Sequence, residues 1–367
     1  MRFGLSEDQK LFDHSLRSFL SDRLPVDTLR RLAEPGDGFD ADLWTGLGEL
    51  GLHGILAAEE HGGAGLGILD AALTAEALGY HAVPTPFTGS QVMAVRAFEA
   101  ADGAQRRRWL PRIASGEVRF GVGLGAISGQ TGRAGIELRG GRMSGAIDGV
   151  LDGGGATHFL VFLADGRAVL LDAADAGLTA TRRRTVDRTR PLVDLDLAGA
   201  APAEVFEASN DAHQTASRVR DAGRVMLAAD MLGAAQNMLD RAVAYAKERV
   251  QFGRVIGSFQ GVKYMCADMA TMLEPCRAMV WYAAYAQDAL PEEARAAANH
   301  AKAHLAEVTR EVARIATEVH GGMGFTDLLG LHFQFKRITF DRQVLGGPDQ
   351  CRHDAALAQG WIVEGDA

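Results

Sequence analysis

The apolar pattern of this chain changes period twice. Up to about residue 117 apolar side chains recur at helical spacing. From 118 to 207 they fall into short runs broken by Gly, Asp and Ala, and from about 211 helical spacing returns more strongly. A segment with one period cannot present a continuous apolar face in the other secondary structure. The chain therefore has to build helices, then a sheet unit, then helices again.

In the first block Ser6 is an N-cap candidate, followed by Leu11, Phe12, Leu16, Phe19 and Leu20, with Pro25 as the stop. Helical patterns follow over 43–50, over 68–78 after the Gly-rich HGGAGLG, and near 91–100; QRRRWLPRIASGE (105–117) closes the block. The middle block holds VRFGVGL, GIELRG, RMSGAIDGVLD, THFLVFLA, RAVLLD and PLVDLDLA. Turn residues every 8–12 positions fit an antiparallel sheet or barrel and do not fit βαβ units. In the last block Met231, Leu232, Ala235, Met238, Leu239, Ala242 and Ala246 form one stripe. A second stripe starts after Ser258, read as its N-cap: Phe259, Val262, Met265, Cys266, Met269, Met272 and Leu273, with a kink expected at Pro275. A third helix starts at Pro291 and is stopped by Gly321 and Gly322, and a last helical stretch covers 327–345. The expected fold is α+β, mostly α: a helical domain (1–117), a central antiparallel β domain (118–207) and a four-helix bundle (208–367).

Composition narrows the function classes. A net charge of −9 argues against nucleic acid as a partner. No run approaches the roughly 20 apolar residues that span a bilayer, and MRFGLSEDQK has no signal-peptide core. Cys266, Cys276 and Cys351 are an odd number without a CxxC pair, which suits a reducing compartment; a cytoplasmic protein is expected. No HExxH, GxSxG or His/Cys cluster is present, so neither a metal site nor a serine hydrolase is expected. The eleven His are scattered, and His320 and His332 read as satisfied core or interface histidines.

Four motifs remain. GVGLGA (121–126) and GGAGLG (62–67) lack the strand–turn–helix order of a dinucleotide fingerprint and read as close packing and turns. TRRRTVDRTR (181–190) reads as a solvated charged face partly offset by Asp187. HGGMGF (320–325) is either a C-cap with a tight turn or paired glycines that let a planar ligand approach backbone N–H groups. KERVQFGRVIGSFQ (247–260) crowds Arg249, Gln251, Arg254 and Gln260 between two helical stripes. It is either a capped turn with surface arginines or an anion site, with Arg249 for a pyrophosphate, amides for ribose or ring edges, and Phe252 and Phe259 as apolar walls.

The stretch AYAKERVQFGRVIGSFQGVKYMCADM (244–269) closely resembles the acyl-CoA dehydrogenase family, as does HGGMGF. LSEDQKLF, LGELGLHGILAAEEHGGAGLG and QRRRWLPRIASGE resemble the family's N-terminal helical domain, so the likeness runs over almost the whole chain. The resemblance implies the same three-part fold, FAD as cofactor, and a dimer or tetramer with each flavin bound across a subunit interface. It implies that Arg249, Gln251, Phe252, Gln260, Glu318, Gly321 and Gly322 contact a flavin held mainly by the neighbouring chain. Glu318 departs from the family's usual Gln, and a carboxylate near a pyrophosphate is repulsive unless paired or turned away. The family reaction is α,β-dehydrogenation of an acyl-CoA thioester: a carboxylate takes the α proton and the β hydrogen leaves as hydride to the flavin.

The sequence departs from the family at two places. The usual base position falls on Leu345 in QVLGGPD, and the minority position on Gly223; neither side chain can take a proton. Asp221, Asp230, Asp341 and Asp349 lie near in sequence but out of register. The Thr-Glu-Pro and Gly-Ser loop that cradles a chain's own flavin is absent from GLGAISGQTGRAGI (123–136). The expectation is a subunit that completes the FAD site of a second acyl-CoA dehydrogenase chain, in lipid or steroid-type catabolism. The alternatives are a self-sufficient homo-oligomer with a displaced base such as Asp341 or Asp349, and a flavin monooxygenase on the same scaffold.

Overall fold

The computed structural model describes residues 4–34, 39–125, 132–206 and 212–363. Ser6 caps α1 (Glu7–Arg23) reciprocally: its hydroxyl accepts from the Gln9 amide while the Gln9 side chain accepts from the Ser6 amide. A short α2 (Val26–Leu32) follows Pro25, too brief to show a period of its own. Then come α3 (Ala41–Glu49), α4 (Ile68–Tyr80), a π-helical turn at Phe87–Met93, α5 (Ala94–Glu99) and α6 (Gly103–Ala114). The GGAGLG loop is turn and close packing, as read: a Cβ on Gly63 would stand 2.0 Å from the Ala57 carbonyl oxygen.

The middle block forms two four-stranded sheets. One has the order β1 (Phe120–Gly123), β4 (His158–Phe162), β5 (Ala168–Asp172), β8 (Pro202–Val205). The other has β2 (Ala134–Arg139), β3 (Arg142–Val150), β7 (Val193–Ala200), β6 (Leu178–Arg182). Pairing is antiparallel except for β1, which runs parallel to β4 with Phe120 opposite His158. Ile147, Phe159, Val161, Val169 and Leu195 pack in one core, while Leu160, Phe162 and Leu170 on alternate positions join the helices' core. Strand β4 is thus buried on both faces, which is why its sequence is an unbroken apolar run. Within the Gly-rich loop of 123–136, residues 126–131 lie outside the described residues.

The last block starts with α7 (Ala212–Glu248), 37 residues long, or about 55 Å at 1.5 Å per residue. A two-residue hairpin, β9 (Val250–Gln251) and β10 (Arg254–Val255), leads to α8 (Gln260–Ala289) and α9 (Pro291–His320). Two shorter helices close the unit, α10 (His332–Asp341) and α11 (Pro348–Ala358). Helix α7 is sandwiched between α4 and the long helices α8 and α9, so every residue from Val219 to Ala235 is buried.

Two local expectations change. Ser258 does not cap α8: Phe259 holds the cap position, and the Ser258 hydroxyl donates to the Val255 carbonyl at 2.7 Å. The stretch 327–345 divides into a 3₁₀ turn, α10 and a turn, with α11 beyond it. Among the described residues no helix is long and apolar enough to cross a membrane.

Candidate functional site

The C-terminal ends of α7 and α9 lie side by side, because the Tyr245 ring stacks on His320 at 4.7 Å. His320 is buried and its Nδ1 lies 2.7 Å from the Ala316 carbonyl oxygen, so it is a satisfied histidine. The stack brings the two motifs of the sequence to one end of the bundle. Arg249 follows Tyr245 by one helical turn, and its exposed guanidinium makes no ion pair among the described residues. Phe252 and Gly253, with φ of 54° and 76°, form the hairpin tip, and Phe252 is 92% exposed. The Gln251 side chain donates to the Val250 carbonyl at 2.9 Å, and Gln260 donates to the Tyr264 hydroxyl. Arg254 is exposed and lies over Phe259, 4.0 Å from its ring centre.

Across from the hairpin, Gly321 and Gly322 are exposed. Gly321 has φ 59°, which accounts for its lack of a side chain. Gly322 has no such constraint, and a Cβ there would meet nothing within 4 Å. Packing inside the chain therefore does not require glycine at 322, whereas a close neighbour from outside would. Glu318 is paired: it accepts from Arg314, which also binds Glu311, along the groove between α8 and α9. That pairing offsets part of the repulsion raised by its sequence, and Glu311 shares the same arginine.

The two positions expected to hold a base meet in the interior. Leu345 lies in the turn between α10 and α11 with φ 58°, and Gly223 lies in the first third of α7. A Cβ on Gly223 would stand 2.6 Å from the Leu345 Cδ1 and 2.9 Å from the Met93 Sδ. Neither position carries a carboxyl, and thioether and leucine carbon fill the space between them. Buried cations fix this turn. The Arg224 Nε donates to the Leu345 carbonyl at 2.7 Å, and the Lys302 ammonium donates to the carbonyls of Arg342 and Gly346 at 3.1 and 3.4 Å. Arg224 also donates to Asp354 at 2.7 Å; burial pushes that carboxyl up, and Arg224 and Arg220 outweigh it and hold it below the usual range.

The nearby aspartates are all committed to arginines. Asp349 is fully exposed and pairs with Arg352 at 3.0 Å. Asp221 contacts Arg220 and Arg295, both at 3.4 Å. Asp230 sits between Arg190 at 2.7 Å and Arg337 at 3.1 Å, and Asp341 accepts from Arg190 at 2.7 Å. Burial drives the Asp341 carboxyl well above the ordinary carboxylate range; Arg190 opposes the shift and Asp230 adds to it. Here the 181–190 cluster departs from its reading as a solvated face. Asp187 and Arg190 are buried, and Asp187 accepts from Arg337 at 2.5 Å. Sequence reasoning also missed Met93, Lys302 and Arg337. Charges inside an otherwise apolar window, as in GRVMLAADML, were the available signal for buried pairs.

Comparison with known proteins identifies the family of the chain. Two family models match the chain: "Acyl-CoA dehydrogenase, N-terminal domain" over residues 6–117 and "Acyl-CoA dehydrogenase, C-terminal domain" over residues 213–357. The acyl-CoA dehydrogenase IpdE2 of Mycolicibacterium smegmatis is 28% identical over 94% of this chain and 96% of its own length. The acyl-CoA dehydrogenase FadE34 of Mycobacterium tuberculosis is 33% identical over 88% of this chain, which spans 43% of that longer protein. Among solved structures, the Tcur3481-Tcur3483 steroid ACAD is 28% identical with a TM-score of 0.85, covering 97% of this chain and 98% of that one. The ChsE4-ChsE5 complex of Mycobacterium tuberculosis shares the fold, with a TM-score of 0.88 at 24% identity, over 99% of this chain and 100% of that one.

Proposed function

This chain belongs to the acyl-CoA dehydrogenase family, and from that premise we propose that it serves FAD-linked α,β-dehydrogenation of an acyl-CoA thioester as the subunit that completes a partner chain's flavin site. The observation that carries the reading is the packing of Leu345 on Gly223. Both expected base positions are buried against each other without a carboxyl. Meanwhile Arg249, Gln251, Phe252, Gln260, Gly321 and Gly322 remain exposed at one end of the bundle. The name of the Tcur3481-Tcur3483 steroid ACAD, 28% identical to this chain, supports a setting in which two dehydrogenase chains assemble, and a steroid-type acyl group. The displaced-base alternative loses support because Asp341 and Asp349 are each bound to an arginine. We place the protein in the cytoplasm on its three unpaired cysteines, and its domains at 1–117, 118–207 and 208–367.

The residues present fit the outer part of a flavin nucleotide: an uncommitted guanidinium, two side-chain amides, an aromatic tip and a glycine pair open to approach. FAD, when bound, supplies the hydride acceptor. This chain's contribution is to bind and orient: Arg249 neutralises pyrophosphate charge, Gln251 and Gln260 offer donors and acceptors, and Gly321 and Gly322 admit close backbone contact. Arg314 offsets part of the Glu318 charge while also binding Glu311. The test is the flavin-to-protein ratio of the chain purified alone and after co-expression with a catalytic acyl-CoA dehydrogenase chain. A colourless chain that becomes part of a yellow complex supports the reading; stoichiometric flavin on the chain alone overturns it.

A further inference from the structure

Three successive backbone carbonyls, those of Asp327, Leu328 and Leu329, are each bound by a guanidinium from another part of the molecule. Arg30 on α2 donates to the Asp327 carbonyl, to the Leu328 carbonyl at 3.1 Å and to the Asp327 carboxylate at 2.8 Å. Arg241 on α7 donates to the Leu329 carbonyl. Arg30 is itself steadied by Asp27 at 2.5 Å, and the Asp327 carboxylate lies 3.4 Å from His332. The grip spans 297 residues of sequence.

The segment so held is two 3₁₀ turns, Gly321–Phe325 and Asp327–Leu329. Within it Gly324 is the sole buried residue, while Phe325 is 83% and Leu328 71% exposed. A stretch with so little burial has no core of its own to set its position. Its start is fixed by the Tyr245–His320 stack and its end by the two arginines. We infer that Arg30 and Arg241 are positioning residues for the cofactor site: they hold residues 321–329 so that Gly321 and Gly322 are presented to the flavin nucleotide. The inference rests on the reading that this chain completes a flavin site. Its added content is that a side chain of the N-terminal helices governs cofactor affinity without touching the cofactor.

The experiment compares the full-length chain with Arg30→Ala, Arg30→Lys and Asp327→Asn, with Arg249→Ala in parallel. Deuterium uptake at 321–329 is measured on the chain, and FAD affinity on the assembly that co-purifies with it. The expected result is faster exchange confined to 321–329 and FAD binding weakened by about fivefold, the scale of a few partly exposed hydrogen bonds. Melting temperature and assembly mass stay unchanged. Lysine restores the charge but not the planar fork, so Arg30→Lys stays weakened; full rescue by lysine would overturn the inference. Unchanged exchange in both Arg30→Ala and Asp327→Asn would overturn it as well. So would faster exchange with unchanged FAD affinity while Arg249→Ala weakens FAD, and then the subunit reading stands. If Arg249→Ala too leaves FAD binding untouched, the subunit reading itself falls, and this inference falls with it.

Discussion

Leu345 lies so close over Gly223 that a single methyl group on the glycine would come within 2.6 Å of the leucine Cδ1. The two positions where a proton acceptor was sought are thus one packed contact, with Met93 as the third member. The contact can be read by a double-mutant cycle. Gly223→Ala overpacks the site and should cost about 1–3 kcal/mol. Leu345→Ala leaves a cavity and should cost about 2–5 kcal/mol. In the double variant the new methyl enters the vacated space, so the summed cost should fall well short of additive in urea unfolding. Strict additivity would mean the residues do not touch.

Phe252 offers a trade between stability and function. Its φ of 54° places a large side chain in the left-handed region, and at 92% exposure it gains in return an edge contact with the Phe259 ring at 6.1 Å. Phe252→Asn suits a type I′ hairpin turn and should stabilise the lone chain by about 0.5–1 kcal/mol. The same variant should lower flavin retention in the assembly. A drop in melting temperature of the lone chain would show that the aromatic ring is structural.

Lys302 makes stability depend on alkaline pH. Burial lowers its pKa to about 8, with Arg224 and Arg342 adding to the effect and Cys351 and Asp341 opposing it. A lysine in the unfolded chain titrates near 10.4. Between those values the unfolded chain holds a proton that the folded chain has released, so stability rises with pH across that window, by up to about 1.4 kcal/mol per unit. Below about 8 the folded state carries the full cost of a buried ammonium. Denaturation from pH 7.5 to 10.5 should show this slope in the wild type and lose it in Lys302→Met; equal slopes would refute the assignment.

Arg190 joins α7 to α10 from the loop that follows β6. It is 3% exposed and binds Asp230 and Asp341, both at 2.7 Å. Arg190→Ala leaves buried Asp341 without its arginine and Asp230 with Arg337 alone, and should cost about 3–5 kcal/mol. Asp341→Asn in the same background should recover part of that loss, because it removes the acid that lost its arginine. Chemical denaturation of the two variants checks both statements.

Much of the fold was legible because burial imposes a period. The stripes of α7 and α8, the Ser6 cap, Pro291 at the start of α9 and the glycine at its end are local signals with local causes. Helix α2 was not legible because seven residues are too few to show a period, and α11 because its short apolar pattern lies past the turn at Leu345. The basic run at 181–190 misled for another reason. Arg190 and Asp187 lose their water only when α7 and α10 close over them, and nothing within ten residues of sequence records that event.

The amino-acid sequence by itself determined the order of helical and β blocks, the crowding of Arg249, Gln251 and Gln260 in one short span, and the lack of a carboxyl at positions 223 and 345. Those are statements about residue type and spacing along one chain, and residue type and spacing are all a sequence contains. The tertiary structure alone decided that 223 and 345 touch, that Tyr245 and His320 bring the two motifs to one end, and that Arg30 grips a loop 297 residues away. Such pairings arise where buried polar groups must find partners across the core, and the partner is set by packing geometry over distances that local pattern does not encode.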